Sequence, residues 1–122
     1  MDVPDTDFEA TLYEILPDGT SVQLTADSMR ARYRESPSQE KLVKPGEINQ
    51  YVFDHFTFFS RRIAQGSRLR LVLNCPNSIY VEKNYNSGGV VAEETAKDAR
   101  TAHVVVYHDG EHPSRLELPV VQ

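Results

Sequence analysis

Apolar residues recur at every second position in short runs, separated by Gly, Pro, Asn and Asp, and that period predicts strands rather than helices. Phe8, Ala10 and Leu12 alternate through a first strand. It stops at Leu16-Pro17-Asp18-Gly19-Thr20, where Pro presets φ and Gly takes a left-handed position. Ser21 to Thr25 returns as its hairpin partner, with Val22 and Leu24 pointing one way. Met29, Ala31 and Tyr33 alternate with Arg30, Arg32 and Arg34, so a strand here puts three guanidinium groups on one face. Glu35 to Lys44 has no apolar period and ends at Pro45-Gly46, the pattern of a long loop. Ile48 to Phe59 holds Tyr51, Phe53, Phe56, Phe58 and Phe59. Both of its alternation classes carry aromatics, which predicts a strand buried on both sides over part of its length. Arg61 to Ser67 is a turn, and Leu69, Leu71 and Leu73 mark a half-buried strand broken at Pro76-Asn77-Ser78. Asn84 to Gly89 is a loop by composition, and Ala92 to Arg100 is a marginal helix with few large apolar anchors. Thr101 to Tyr107 and Leu116 to Val121 read as closing strands, so the expected fold is an all-β sandwich or barrel.

At 122 residues the chain fits one domain, residues 1–122, with a two-layer core. A formal net charge of −5 argues against nucleic acid or an anionic membrane as the main partner, because both need a concentrated positive field. The single cysteine, Cys75, cannot form an internal disulfide, and the acidic N-terminus has no apolar h-region. The expected setting is reduced and cytoplasmic, and no cofactor is implied.

Several groups invite chemistry. His108-Asp109-Gly110-Glu111-His112 places two imidazoles and two carboxylates within five positions. His108 and His112 are therefore weak metal candidates, set against a turn held by hydrogen bonds, since zinc sites normally draw further ligands from elsewhere. Asp2, Asp5 and Asp7 resemble the start of a calcium loop but lack its glycine and distal glutamate, so solvated terminal carboxylates are expected. Arg30, Arg32 and Arg34 have the planar forks to grip phosphates or a carboxylated ligand, but Asp and Glu outnumber Lys and Arg, so neutralisation by nearby carboxylates or packing on a partner domain is the stronger expectation. Tyr80 and Tyr85, with Asn84 and Asn86, lie in a polar loop and are the best ligand-surface candidates, although such asparagines often satisfy their own backbone.

The order of these runs carries a resemblance. Asp5-Thr6-Asp7-Phe8, the Leu16-Pro17-Asp18-Gly19 hairpin, Arg30-Ala31-Arg32-Tyr33-Arg34-Glu35-Ser36, Pro45-Gly46-Glu47, Gln65 to Leu71, Asn84 to Gly89 and the final Val104 to Val120 recur in this order and spacing. Together they resemble the C-terminal jelly-roll domain of the cocaine esterase-like and X-prolyl dipeptidyl-peptidase-like serine hydrolases. Ser67 stands where His is common, Tyr85 stands where Pro is common, and Cys75 to Tyr80 departs from the pattern.

The resemblance implies a non-catalytic, galactose-binding-domain-like jelly-roll sandwich that lacks the family's first strand or strands. Its partner would be an upstream α/β-hydrolase domain, and the domain would support packing against it and oligomerisation. The nucleophile elbow G-x-S-x-G of such enzymes occurs nowhere in this sequence, so no serine is assigned as nucleophile. A sandwich missing strands exposes unpaired backbone, from which a homodimer completing each other's sheets is expected. The alternative, from a different class, is a free-standing module that binds carbohydrate or another small ligand.

Overall fold

A computed structural model of the chain describes residues 1–121; Gln122, the last residue of the expected 1–122 domain, lies outside them. Three strands form: β1 (Asp7–Ile15), β2 (Ser21–Arg30) and β3 (Arg68–Asn74). They make one antiparallel sheet in the order β2-β1-β3, and the chain is all-β, consistent with a β-sandwich. Beyond the strands only two single 3-10 turns are assigned among the described residues, Ala31–Tyr33 and Val91–Glu93.

The first hairpin forms where the Pro-Asp-Gly sequence places it. Gly19 sits at φ 90°. Leu16 N–H donates to Thr20 O, Gly19 N–H donates to Leu16 O, and Thr20 N–H donates to the Asp18 carboxylate at 2.8 Å. Those contacts hold the Asp18 carboxyl below its ordinary pKa, with the Thr20 backbone N–H as the largest cause.

β2 is longer than its apolar pattern suggests, and pairs with β1 as far as Arg30 opposite Asp7. The register shifts between Leu12 and Tyr13, where Leu24 is the extra residue. Val22 therefore shares a face with Thr25, instead of continuing an unbroken alternation through Leu24.

The expected arginine strand does not extend past Arg30. Asp5 accepts the Arg32 backbone N–H at 2.9 Å and its Nε at 2.7 Å, while Ala31 N–H donates to Thr6 O. These contacts turn the chain into the Ala31–Tyr33 3-10 turn and bury Ala31. The three guanidinium groups therefore separate rather than sharing a face.

β1 carries the core face. Phe8, Ala10, Leu12 and Glu14 lie on it, opposite Met29, Asp27, Thr25 and Val22 of β2 and, from Ala10 onward, Leu73, Leu71 and Leu69 of β3. The Ile48 to Phe59 segment is extended but joins no ladder. It crosses this face in the direction of β1: Tyr51 packs edge-on to Phe8 with centroids 5.1 Å apart. Further along, His55 N–H donates to Asp27, and Thr57 O accepts from Thr25 Oγ1 at 2.7 Å. Phe8, Ala31 and Val43 form the buried cluster, with Met1, Tyr51 and Phe53 packed against it. The segment is covered on one side only, so the expectation of burial on both sides fails, and Phe58 is 91% exposed.

Thr101 to Tyr107 and Leu116 to Val121 are without ladder partners among the described residues. Val104, Val105, Val106, Leu116 and Val120 are exposed along them. Ala92 to Arg100 forms no α-helix, in line with its lack of apolar anchors.

Candidate functional site

The best-organised group of side chains lies where the N-terminal segment, the start of β1 and the Asn84 loop meet. Asp5 and Asp7 flank Thr6 on the way into β1, so their carboxylates are offered to different neighbours. Asp5 is fully buried and Arg32 only 5% exposed. Arg32 also reaches Glu40 at 3.0 Å and Gly89 O at 2.8 Å. Burial works against the Arg32 charge, but the hydrogen bonds and charges of Asp5 and Glu40 outweigh it and leave its pKa raised. Asp7 holds Arg30 in a two-pronged pair, Nε at 2.9 Å and Nη2 at 3.1 Å, and Glu82 takes the same guanidinium on its exposed side. That pairing, led by the Asp7 hydrogen bonds, raises the Arg30 pKa.

Asn84 ties the two acids together. Its Nδ2 donates to Asp5 at 2.8 Å and Asp7 at 2.9 Å, while its Oδ1 accepts the Asn86 N–H. Asn86, at φ 66°, donates its amide to Arg100 O. Gly88 at φ 84° brings the same loop against Pro4; a Cβ there would lie 2.8 Å from Pro4 Cγ. Gly88→Ala is therefore expected to destabilise the domain by roughly 1–2 kcal/mol from the left-handed conformation alone, with the clash adding to it. A urea melt unchanged by the substitution would show that the loop is not docked on Pro4.

Asn84 and Asn86 come together beside a cavity of about 210 Å³, whose wall also includes Thr6, Cys75 and Arg100. Tyr80 and Tyr85 are not in that wall. Tyr80 is 90% exposed on a turn where its N–H donates to Ser78 Oγ. Tyr85 has Lys83 Nζ 5.3 Å from its ring centroid and donates its N–H to Glu94. Arg34 is spent locally, on Asn49, Lys41 O and Ala31 O, and also meets Glu35.

His108 and His112 lie in an internally bonded turn. Asp109 accepts the N–H groups of Glu111 and His112, and Ser114 Oγ donates to Tyr107 O. Those N–H groups, His112 first, hold the Asp109 carboxyl below its ordinary pKa. The His112 ring packs on Tyr107 at 5.3 Å. Among the described residues no three His, Cys, Asp or Glu side chains converge as a metal-holding group.

Two features escape the sequence pattern. Asp2, Asp5 and Asp7 are not all solvated terminal carboxylates, because Asp5 is buried and Asp2 takes the His103 N–H and imidazole at 2.8 and 2.7 Å. Glu14 is also fully buried, accepting Arg61 Nε and the Ala64 N–H. Its visible signal is a carboxylate continuing the apolar alternation of Phe8, Ala10 and Leu12.

No arrangement of nucleophile, base and oxyanion donors is built from these side chains; their contacts fasten segments to one another. Comparison with known proteins agrees. Residues 1–117 match the X-Pro dipeptidyl-peptidase C-terminal non-catalytic domain. Over 118 residues the chain is 33% identical to the cocaine esterase of Rhodococcus sp. (strain MB1 Bresler), covering 97% of this chain and 20% of that enzyme. The chain thus spans about one fifth of that relative's length, and it belongs to the family of X-Pro dipeptidyl-peptidase C-terminal non-catalytic domains.

Proposed function

We propose that this chain is the accessory domain of a serine ester or peptide hydrolase, and that it acts by packing against the enzyme's catalytic domain. The observation that carries this reading is surface. The chain exposes 9230 Å², about 40% more than the roughly 6,600 Å² expected for a compact monomer of 13.8 kDa. Phe58, Leu69, Leu71, Leu73 and Val104 to Val106 contribute to it. The surplus exceeds what an interface of standard size removes from water, so it calls for an extensive partner. In the isolated chain the same surface is free to take a second copy, and a homodimer is the expected species; light scattering that finds only monomer at all concentrations would remove that expectation.

A chimera tests the accessory role. This chain replaces the matching region of the Rhodococcus esterase, and ester hydrolysis and thermal unfolding are compared with the intact enzyme and with one lacking the region. The chimera is expected to stay active and to unfold above the truncated enzyme. A truncated enzyme as stable and active as the intact one would end the accessory reading, as would a chimera no better than the truncation.

A further inference from the structure

We propose that the free edge of β3 receives an extended segment of the hydrolase polypeptide whose side chains alternate apolar and acidic. The apolar ones meet Leu69, Leu71 and Leu73, and the carboxylates meet Arg68 and Arg70. This rests on the accessory-domain reading and adds the chemistry of the partner.

β3 is an outer strand of the sheet and, among the described residues, pairs with β1 alone, so along its other side seven residues present backbone groups with no ladder. Such an edge is a template for another strand. Its three leucines lie on the core face, opposite Ala10, Leu12 and Glu14. Ala10 and Leu12 are 3% and 2% exposed, yet the leucines beside them are 43–46% exposed. The Ile48 to Phe59 segment explains the difference, because its contacts with Phe8, Thr25 and Asp27 fall on β1 and β2.

The opposite face of β3 carries Arg68 and Arg70, whose β1 neighbours are Ile15 and Tyr13. Arg30, Arg32, Arg34, Arg61 and Arg115 each hold a carboxylate; among the described residues Arg68 and Arg70, like Arg62 and Arg100, hold none, and Arg68 and Arg70 stand at alternate positions on a single strand face. In a chain of net charge −5 the two are unneutralised despite an excess of acid.

Leucines and arginines lie on opposite faces of one strand, which selects the geometry of the partner. A helix laid on the leucines would leave the backbone edge and the arginines untouched. Only an element beside β3 in the plane of the sheet reaches both faces, and a strand there places alternate side chains against each. The relative's polypeptide is about five times as long as the matched region, so the same molecule has chain to supply it.

The test fuses a short designed strand to the chain through a flexible Gly/Ser linker, which raises its effective concentration to the order of millimolar. One version alternates Val with Glu, the other Val with Lys. Hydrogen exchange is followed across Arg68–Asn74 in the parent and in an Arg68→Glu/Arg70→Glu variant, whose altered side chains are exposed. The Glu strand is expected to slow exchange by about tenfold or more over the Lys strand, through two attractive cross-strand pairs in place of two repulsive ones. In the charge-reversed variant the preference inverts, and in both it shrinks as salt is raised. Equal protection by both strands in both backgrounds, or protection by neither, overturns the proposal. If the esterase chimera is meanwhile active and stable, the accessory reading survives and only the edge-strand partner falls.

Discussion

Replacing Asp5 by Ala is expected to cost about 3–5 kcal/mol, the usual loss when one partner of a buried ion pair is removed and the other is left uncompensated. Asp5 accepts from the Arg32 N–H, Arg32 Nε and Asn84 Nδ2, and no solvent reaches it. The variant leaves the Arg32 guanidinium with Gly89 O and Glu40, whose side chain is 62% exposed and screened. It also frees the 3-10 turn and the Asn84 loop from the start of β1 at the same time. Against a total stability of roughly 5–15 kcal/mol, that loss leaves a marginal domain or none. Because the damage is mostly an orphaned charge, Asp5→Leu combined with Arg32→Met is expected to recover much of it. Urea unfolding of the single and double variants closes the cycle. An Asp5→Ala midpoint close to that of the parent would mean the pair is a surface contact and contributes little.

What could be read from the sequence divides along the same lines as the energetics. The Leu16 to Thr20 turn was legible because Pro17 and Gly19 have local conformational preferences that need no partner. The leucine alternation of β3 was legible because one strand displays its own period. The Arg30 to Arg34 run shows the same period, yet bends after Arg30, because Asp5 offers the Arg32 backbone and side chain a better set of bonds than a ladder would. No window around the arginines contains that carboxylate, which is 27 residues away. Asn84, 79 residues from Asp5, stands out in sequence by its polar loop, but no local pattern shows its amide committed to two acids. The closing segments fail for another reason. Val104 to Val106 and Leu116 to Val120 have strand composition, but a strand exists only beside another strand, and among the described residues neither segment pairs with one. The chain belongs to a family of non-catalytic domains and spans about one fifth of its esterase relative, and on the accessory-domain reading proposed above its apolar pattern is written for surfaces beyond its own.

The buried Glu14 gives the acid response its shape. The Ala64 N–H and then Arg61 hold its carboxyl at about 2, below its ordinary value of 4.5. Between those values the unfolded chain binds a proton at this position that the folded chain does not, so stability rises with pH across that window. The contribution is fully present above about pH 4.5 and is lost as pH falls through about 2. Asp2, Glu35, Glu94, Asp18 and Asp109 are held low as well, so the parent curve alone sums several groups. Glu14→Gln isolates one of them. The amide keeps the shape and one acceptor but turns an NH₂ toward donors, and it cannot titrate. The variant is expected to be less stable at neutral pH, and its deficit should shrink steadily as both proteins are titrated from pH 4.5 toward pH 2. The slope of that difference corresponds to at most one proton. A deficit independent of pH over this range would show that Glu14 is held by packing alone, and that the Arg61 and Ala64 contacts fastening the following turn to the sheet do not survive in solution.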